Sequence, residues 1–538
     1  MPTEMAAAPL LSNVQFTNAM LLAISPQLIV AFGIVLSLLL IAWKRSRRML
    51  QGLTSAIFIV ALIASVPLLF NNEIPVTILL KVDGYGVFAF MLVCFSGLMV
   101  TLLSGQLLQR NTEAHDEYYL LLQLVILGGG VLVVSDHFAS LFLGFELLSL
   151  ALVGMVGFFR EGKHAVETAF KYLILSATAS SFMLLGIAFI YSQTGSLHFS
   201  LINTGVNGAD QLGAELTNTF HALGMLLFFA GMAFKLSLVP FHFWTPDVYQ
   251  GAPTPVTMLM ATVSKVAMFT VLMKCLFSQG VFVQSHMMQL MALVAILSMV
   301  FGNVLALKQE NLKRLLGYSS IAHMGYLLIV LLITSMQDIN FAWQSALFYL
   351  SAYVLASLSI FMVLIFTTQE ALLPGQSQQQ AEDDTTIGSW QGLFWRKPMM
   401  AFLAILAVLS LAGIPLSMGF IAKFYLLTFA SQAGLWWLIA ALVVGSGIGL
   451  FYYLRIIFSL FAAPFSEQKA EQKVQQQAVS SDGTGQVQAS GNWPWKGVLV
   501  TGFVFAGLVF GLYPDVLMQV ISRLGELTEP LAVLDQTP

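Results

Sequence analysis

The chain has 538 residues, of which 58% are hydrophobic and 9% charged, and its formal net charge is −3. Its mean hydropathy is +0.84. About a quarter of the residues of an ordinary water-soluble domain are charged, so a soluble fold is excluded and the bilayer is the solvent that fits. The near-neutral balance and the lack of dense basic runs exclude a nucleic-acid partner.

Residues 1–20 contain Glu4 and no Lys or Arg, so the positive start of a cleaved signal peptide is missing. A crossing needs about 20 apolar residues. Fourteen such segments follow: 21–43, 50–70, 85–108, 118–135, 138–159, 167–192, 219–250, 256–277, 287–307, 316–334, 341–366, 399–430, 436–462 and 497–519. The expected fold is an all-α integral membrane protein of about fourteen transmembrane helices. The seventh and twelfth segments are longer than a straight crossing and contain Pro240 and Pro415. Proline inside a helix removes a hydrogen bond and clashes with the preceding turn, so both helices are expected to be broken, with the freed backbone buried in protein. The polar stretches 367–395 and 466–492 read as flexible loops.

Basic residues of alternate loops, from Lys44, Arg45 and Arg48 through Arg160, Lys163 and Lys313 to Lys496, gather on one side. Lys81, Arg523 and Lys274 are placed on the other. By the positive-inside rule both termini then lie outside the cytoplasm. Leu236-Ser-Leu-Val-Pro240 is echoed by Leu411-Ala-Gly-Ile-Pro415, five helices later. An odd offset turns the second copy over, so two inverted five-helix repeats are expected. The division is 1–117 as an N-terminal three-helix segment, 118–280 and 281–465 as the repeats, 466–495 as a polar loop, and 496–538 as a C-terminal helix.

Ionisable residues inside spans are costly, about 2.5–3.5 kcal/mol each at a helix centre on the insertion scale. Glu146 lies near the middle of the fifth segment, Lys171 in the sixth, Lys235 in the seventh, Lys265 in the eighth and Lys423 beyond the break of the twelfth. One reading pairs each amine with a carboxylate or backbone carbonyls, only to lock helices together. The reading favoured by five such residues, two beside breaks, is a proton path. One carboxylate does not neutralise four ammonium groups, so some of these lysines are expected to be neutral part of the time, able to take up and release protons. His323, in the tenth segment, is either a relay or a packing residue. Cys94 and Cys275 read as small core residues. No metal-ligand spacing, phosphate loop, dinucleotide fingerprint or iron–sulfur cysteine cluster is present in the sequence, so no cofactor or metal is expected on this chain.

The stretch Ala233-Phe-Lys-Leu-Ser-Leu-Val-Pro-Phe-His-Phe-Trp-Thr-Pro-Asp-Val-Tyr-Gln-Gly-Ala-Pro-Thr-Pro255 resembles the signature of the antiporter-like membrane subunits of respiratory complex I. So do Ser140 to Ser149, Asn311 to Ser320, and Leu411 to Lys423. Within that family Tyr249-Gln-Gly-Ala252 and Ile174 to Ser181 fit the N-type subunit best, and the chain ends soon after the fourteenth span, without the lateral helix of the largest subunit. The resemblance implies a hydrated polar axis at half-depth, with Glu146 paired to Lys235, Lys265 central, Lys423 terminal, and Lys171 in a matching but less settled position. It implies other membrane subunits of the complex as partners, a bacterial inner membrane, and NADH, FMN, iron–sulfur clusters and quinone handled by other subunits. A cation/proton antiporter subunit is the alternative that shares this ancestry.

Overall fold

The structure is a computed structural model and describes residues 17–43, 46–110, 116–158, 165–201, 211–278, 285–333, 339–371, 385–462 and 494–526. Both chain ends, and with them the side assigned to the termini, lie outside these residues, as does the polar stretch 466–492. Hydrocarbon offers no partner to a backbone N–H or C=O, so helices dominate. In chain order they are α1 (Asn18–Ala23), α2 (Ser25–Ala42), α3 (Arg47–Ser65), α4 (Gly84–Arg110), α5 (Glu117–Val133), α6 (Phe138–Val156), α7 (Ala165–Thr194), α8 (Gln211–Leu236), α9 (Trp244–Gly251) and α10 (Thr254–Phe277). They continue as α11 (Ser285–Leu307), α12 (Leu312–Ile333), α13 (Ile339–Ala371), the short α14 (Leu393–Arg396), α15 (Pro398–Ala412), α16 (Met418–Gln432), α17 (Trp436–Phe461), α18 (Pro494–Leu512) and α19 (Asp515–Glu526).

Among the described residues, eleven helices are each long and apolar enough to cross a bilayer, and the pair α18–α19, bent by 77°, supplies a twelfth candidate. The other two expected segments also fall on helices, but on shorter ones. α5 has 17 residues, and 399–430 is divided between α15 and α16, with 15 residues each. Pro240 and Pro415 both lie in the gaps of the divided helices, as their chemistry requires.

Two helix pairs pack through one pattern. A Cβ placed on Gly128 of α5 would sit 2.7 Å from Leu148 N and 3.0 Å from Gly144 O of α6. On α11, Gly302 faces Ala322 N at 2.8 Å and Tyr318 O at 3.0 Å of α12, at the same residue spacing. Small residues at such crossings let backbones touch, which is how helices associate in lipid. The same spacing thus recurs in the two halves of the chain. The middle of the bundle is set by burial. α10 has no lipid face at all, with 100% of its apolar window buried, and α12 and α13 follow at 94% and 89%. By contrast α2 is only 28% buried. Polar side chains on α10, α12 and α13 are therefore held by protein.

One end of the bundle carries a small antiparallel hairpin, β1 (Ile74–Pro75) with β2 (Lys81–Val82), which the helix-only reading did not anticipate. Lys81 pairs with Glu73, and Lys274, at the end of α10, pairs with Asp83. Beside it His137 caps α6: its Nδ1 accepts a bond from the Ala139 N–H at 3.1 Å. Burial, and then the neighbouring His198, hold the His137 imidazole below the usual histidine value of 6.5. The cap therefore contributes above pH about 6.5 and is lost as the pH falls through the lower folded-state value, because a protonated Nδ1 accepts nothing. Protection of the Ala139 amide, taken relative to its intrinsic exchange rate at each pH, is expected to fall on acidification, and His137→Asn, a cap without a titrating ring, is expected to remove that change. A side-chain cap contributes about 1 kcal/mol.

Candidate functional site

The site begins where α8 stops. Ser237 takes φ +62°, a left-handed conformation unusual for a residue with a Cβ. Its N–H bonds Phe234 O at 3.0 Å, and Leu238 N–H bonds Ala233 O at 2.8 Å, which closes the helix end. Trp244 Nε1 donates to Phe234 O at 2.8 Å. Thr245 Oγ1 bonds Ser237 Oγ at 2.5 Å, and Ser298 Oγ accepts from Val239 N–H at 3.0 Å. Each end of the gap is thus tied down by side chains.

Lys235, one residue from the end of α8, is fully buried. Its Nζ donates to Ser149 Oγ of α6 and to Tyr172 OH of α7, both at 2.7 Å, and lies 5.2 Å from the Phe145 ring and 5.0 Å from the Tyr172 ring. Aromatic faces attract cations, so the amine rests in a cage of hydroxyls and rings. Among the described residues no direct contact within 4.0 Å joins it to Glu146. Ser149 and Tyr172 occupy the positions nearest the amine. Glu146 lines an apolar groove of about 620 Å³ together with Phe142, Leu143, Leu184 and Ile187. Its Oε1 is buried with no hydrogen-bond partner. A buried acceptor left unbonded is costly, and carboxyls in that condition are common where a site acts through them.

Lys265, fully buried on α10, reaches into the gap below α8. Its Nζ donates to the Lys235 carbonyl at 3.1 Å and to Ser237 Oγ at 2.5 Å, with the Trp244 ring centre 5.5 Å away. The last carbonyls of a helix lack intrahelical partners and carry its negative dipole end. Lys265 is an amine placed on that end. The second break repeats the device with a different donor. α15 ends at Gly413, φ +79°, where a left-handed residue is needed. Lys423 of α16 folds back and donates to Leu411 O at 3.2 Å and Ala412 O at 2.9 Å. The Tyr326 ring lies 4.9 Å from its Nζ. Ser417 caps α16 by accepting from Phe420 N–H.

Between the two breaks lies a polar cluster from α12, α13 and α17. His323 Nδ1 shares a hydrogen with Tyr349 OH at 2.7 Å, and its Nε2 faces Tyr453 OH at 3.3 Å. Tyr453 also contacts Ser319, and Tyr353 OH donates to Ser320 Oγ at 2.9 Å. A void of about 10 Å³ is lined by His323, Tyr349, Ser410 and Lys423, room for about one water. Direct hydrogen bonds between described residues do not run unbroken from Lys265 to His323. His323 packs among tyrosines and shares the lining of that void with Lys423.

Lys171 does not join the others. Its side chain is 55% exposed on the outer face of α7, in an i,i+4 ion pair with Glu167 at 2.6 Å. Successive helix residues point about 100° apart, and it is the neighbour Tyr172 that turns inward. An exposed pair of this kind is screened by solvent and adds little to stability. Lys171→Ala is expected to leave stability and transport nearly unchanged, measured as proton uptake in vesicles. The hydroxyl partners were not singled out beforehand. Ser149 lies three residues after Glu146, one helical turn, and Tyr172 follows Lys171 directly, so adjacency to the charged residues was the available signal. Among the described residues no group of three or more His, Cys, Asp or Glu is placed to hold a metal.

A chain of respiratory complex I from Thermus thermophilus, solved with bound aureothin, is 28% identical to this one. It superposes with a TM-score of 0.73 over 93% of this chain and 99% of that chain. Two further solved chains share the fold at lower identity. One, in an archaeal respiratory complex, the membrane-bound sulfane sulfur reductase, has 20% identity and a TM-score of 0.77, covering 95% of this chain and 98% of that one. The other, in the Mrp complex of a Dietzia species, has 18% identity and a TM-score of 0.76, with coverage of 95% and 98%. A family model described as NADH:quinone oxidoreductase/Mrp antiporter, TM, matches residues 135–449. That is more than half of the chain, and it encloses Glu146, Lys235, Lys265 and Lys423. This multi-pass integral membrane protein therefore belongs to the NADH:quinone oxidoreductase/Mrp antiporter transmembrane family.

Proposed function

We propose that this chain translocates protons as one membrane subunit of an NADH:quinone oxidoreductase, in the place of subunit N of the bacterial enzyme. It would be a translocase subunit without redox chemistry of its own. The observation that carries this reading is the placement of three buried amines, Lys235, Lys265 and Lys423, at the broken ends of two helices. The motifs of the N-type subunit at Tyr249–Ala252 and Ile174–Ser181 support the finer assignment. NADH, FMN, iron–sulfur clusters and quinone would be handled in other subunits, and neighbouring antiporter-like subunits would be its partners in a bacterial inner membrane, with both termini on the periplasmic side. The chain then divides at 117, 280, 465 and 495 into the N-terminal helices, two repeats, the polar loop and the last helix.

Glu146, Lys235, Lys265 and Lys423 form the relay in this reading, with His323 between the last two. Movement of positive charge at the Glu146 end would alter the occupancy of Lys235, whose backbone carbonyl is itself the acceptor for Lys265. Lys235→Ala is expected to lower proton pumping strongly in inside-out vesicles while the complex assembles. Tyr172→Phe keeps the ring and loses the hydroxyl acceptor, so its defect is expected to be smaller. Full pumping in both Lys235→Ala and Glu146→Gln would overturn the assigned roles.

A second reading, a subunit of a cation/proton antiporter, is favoured by the family description, which spans both classes, and by the shared fold with the Mrp chain. Purification of the chain in a complex without flavin, with proton flux driven by Na⁺ or K⁺ gradients, would select it.

A further inference from the structure

We propose that the elbow between α18 and α19 holds one acyl chain of a membrane phospholipid, in a cavity that ends at the second helix break. The cavity measures about 320 Å³. Its inner wall is fully buried: Phe88 of α4, Ser351 and Val354 of α13, and Met418, the first residue of α16. Its outer wall is half-buried, formed by Leu62, Phe95, Ala506 and Phe510, with Leu517 of α19 closing one end across the 77° bend. The space therefore narrows from a lipid-side mouth on α3 and α18 to a floor beside the break.

The occupant follows from what the walls can hold. Interiors pack without voids of this size, and an empty one would be strongly destabilising. Water needs two to four polar partners. Ser351 is the one polar lining residue, and its Oγ already donates to Leu347 O at 2.8 Å. A neighbouring helix does not fit, because a helix with its side chains is about 10 Å across, too wide for a space of about 320 Å³ that narrows inward. What remains, at hydrocarbon depth, is the tail of a lipid. The thioethers of Met91 and Met418 suit a flexible chain, since methionine adapts to irregular apolar surfaces.

The position gives the tail a consequence. Gly511 of α18 packs against the break so closely that an added Cβ would stand 2.6 Å from Leu416 O. Met418 lies in the first turn of α16, and Lys423 follows about a turn and a half later. A tail between α18, α13 and Met418 braces the half-helix that carries Lys423.

The test uses membranes holding the full assembled complex and a phosphatidylethanolamine with a diazirine near the end of one acyl chain. After irradiation, adducts are expected on Met91, Phe95, Val354 or Met418. Two variants fill the cavity from different helices, Leu355→Trp and Ala506→Trp, and each is expected to cut labelling about tenfold, the change for about 1.4 kcal/mol of binding, with assembly checked by complex yield. Excess unlabelled phosphatidylethanolamine is expected to displace the probe. Adducts confined to outward residues such as Leu143, Phe451 and Phe505, with none in the elbow, would overturn the proposal. So would displacement by a long isoprenoid quinone but not by phospholipid, which would make the occupant a quinone tail. Unchanged labelling in both assembled tryptophan variants would overturn it equally.

Discussion

Lys265→Met is expected to abolish most proton translocation and to weaken the protein as well, whereas Lys265→Arg is expected to restore the fold and leave translocation lost. The difference comes from the two things this amine does. When protonated it is a cation on a C-terminal carbonyl of α8, and it offsets the helix dipole from a fully buried position. Methionine removes that cation and leaves Lys235 O short of its donor. An arginine keeps the charge, though its fork is wider than the ammonium it replaces. What arginine does not do is give up its proton, because its guanidinium stays charged at any working pH. Pumping in vesicles, normalised to assembled complex, is the measurement. A drop of at least about tenfold in both variants corresponds to a barrier higher by about 1.4 kcal/mol. If Lys265→Arg pumps normally, Lys265 is a cap and nothing more.

Gly419→Val is expected to prevent assembly. A Cβ at this position would lie 1.8 Å from the Ser410 carbonyl oxygen, a backbone atom with no rotamer to swing away. The nearby Gly419 N–H also donates to Ser410 Oγ at 3.1 Å, so the two half-helices are stitched where they touch. Forcing a branched side chain between them costs more than the 1–3 kcal/mol typical of overpacking, on the order of 4 kcal/mol or above, against a net stability of roughly 5–15 kcal/mol for many proteins. The yield of complex after mild detergent extraction reads this out. Gly447→Ala, where no atom lies within 4 Å of the added carbon, is the matched control and is expected to behave as wild type.

Much of the architecture was legible because membrane helices announce themselves. Apolar runs of the right length located the eleven long apolar helices and the bent pair α18–α19, and Pro240 and Pro415 located both gaps, since a missing N–H has the same consequence in any fold. Direction was harder. Four lysines looked equivalent in sequence, yet Lys171 faces outward while Tyr172 faces in, its ring tilted against that of Trp244 of α9 at 5.0 Å. Which side of α7 is inner is decided by its contact with α9, and that contact joins residues far apart in sequence. The serines were hidden for another reason. Ser149 and Ser237 lie inside conspicuous motifs, but hydroxyls commonly bond their own helix one turn back, as Ser149 Oγ also does to Phe145 O. Nothing short of the fold shows which of them also meets an amine. The tyrosines around His323 come from α13 and α17, and their convergence is a property of tertiary packing alone.

The two breaks differ in ownership of the cation. At the first, the amine on the α8 carbonyl belongs to α10, a helix sealed inside the bundle. It acts as a strut from a fixed frame, so tilting α8 stretches the contact while the charge stays put. At the second, Lys423 belongs to α16, the other half of the same divided helix. There the amine and the carbonyls it meets sit on the two halves of one divided helix, so a tilt of α16 against α15 would part them. The same contact is thus built once between separate helices and once inside a single divided one, and the two would respond to different displacements.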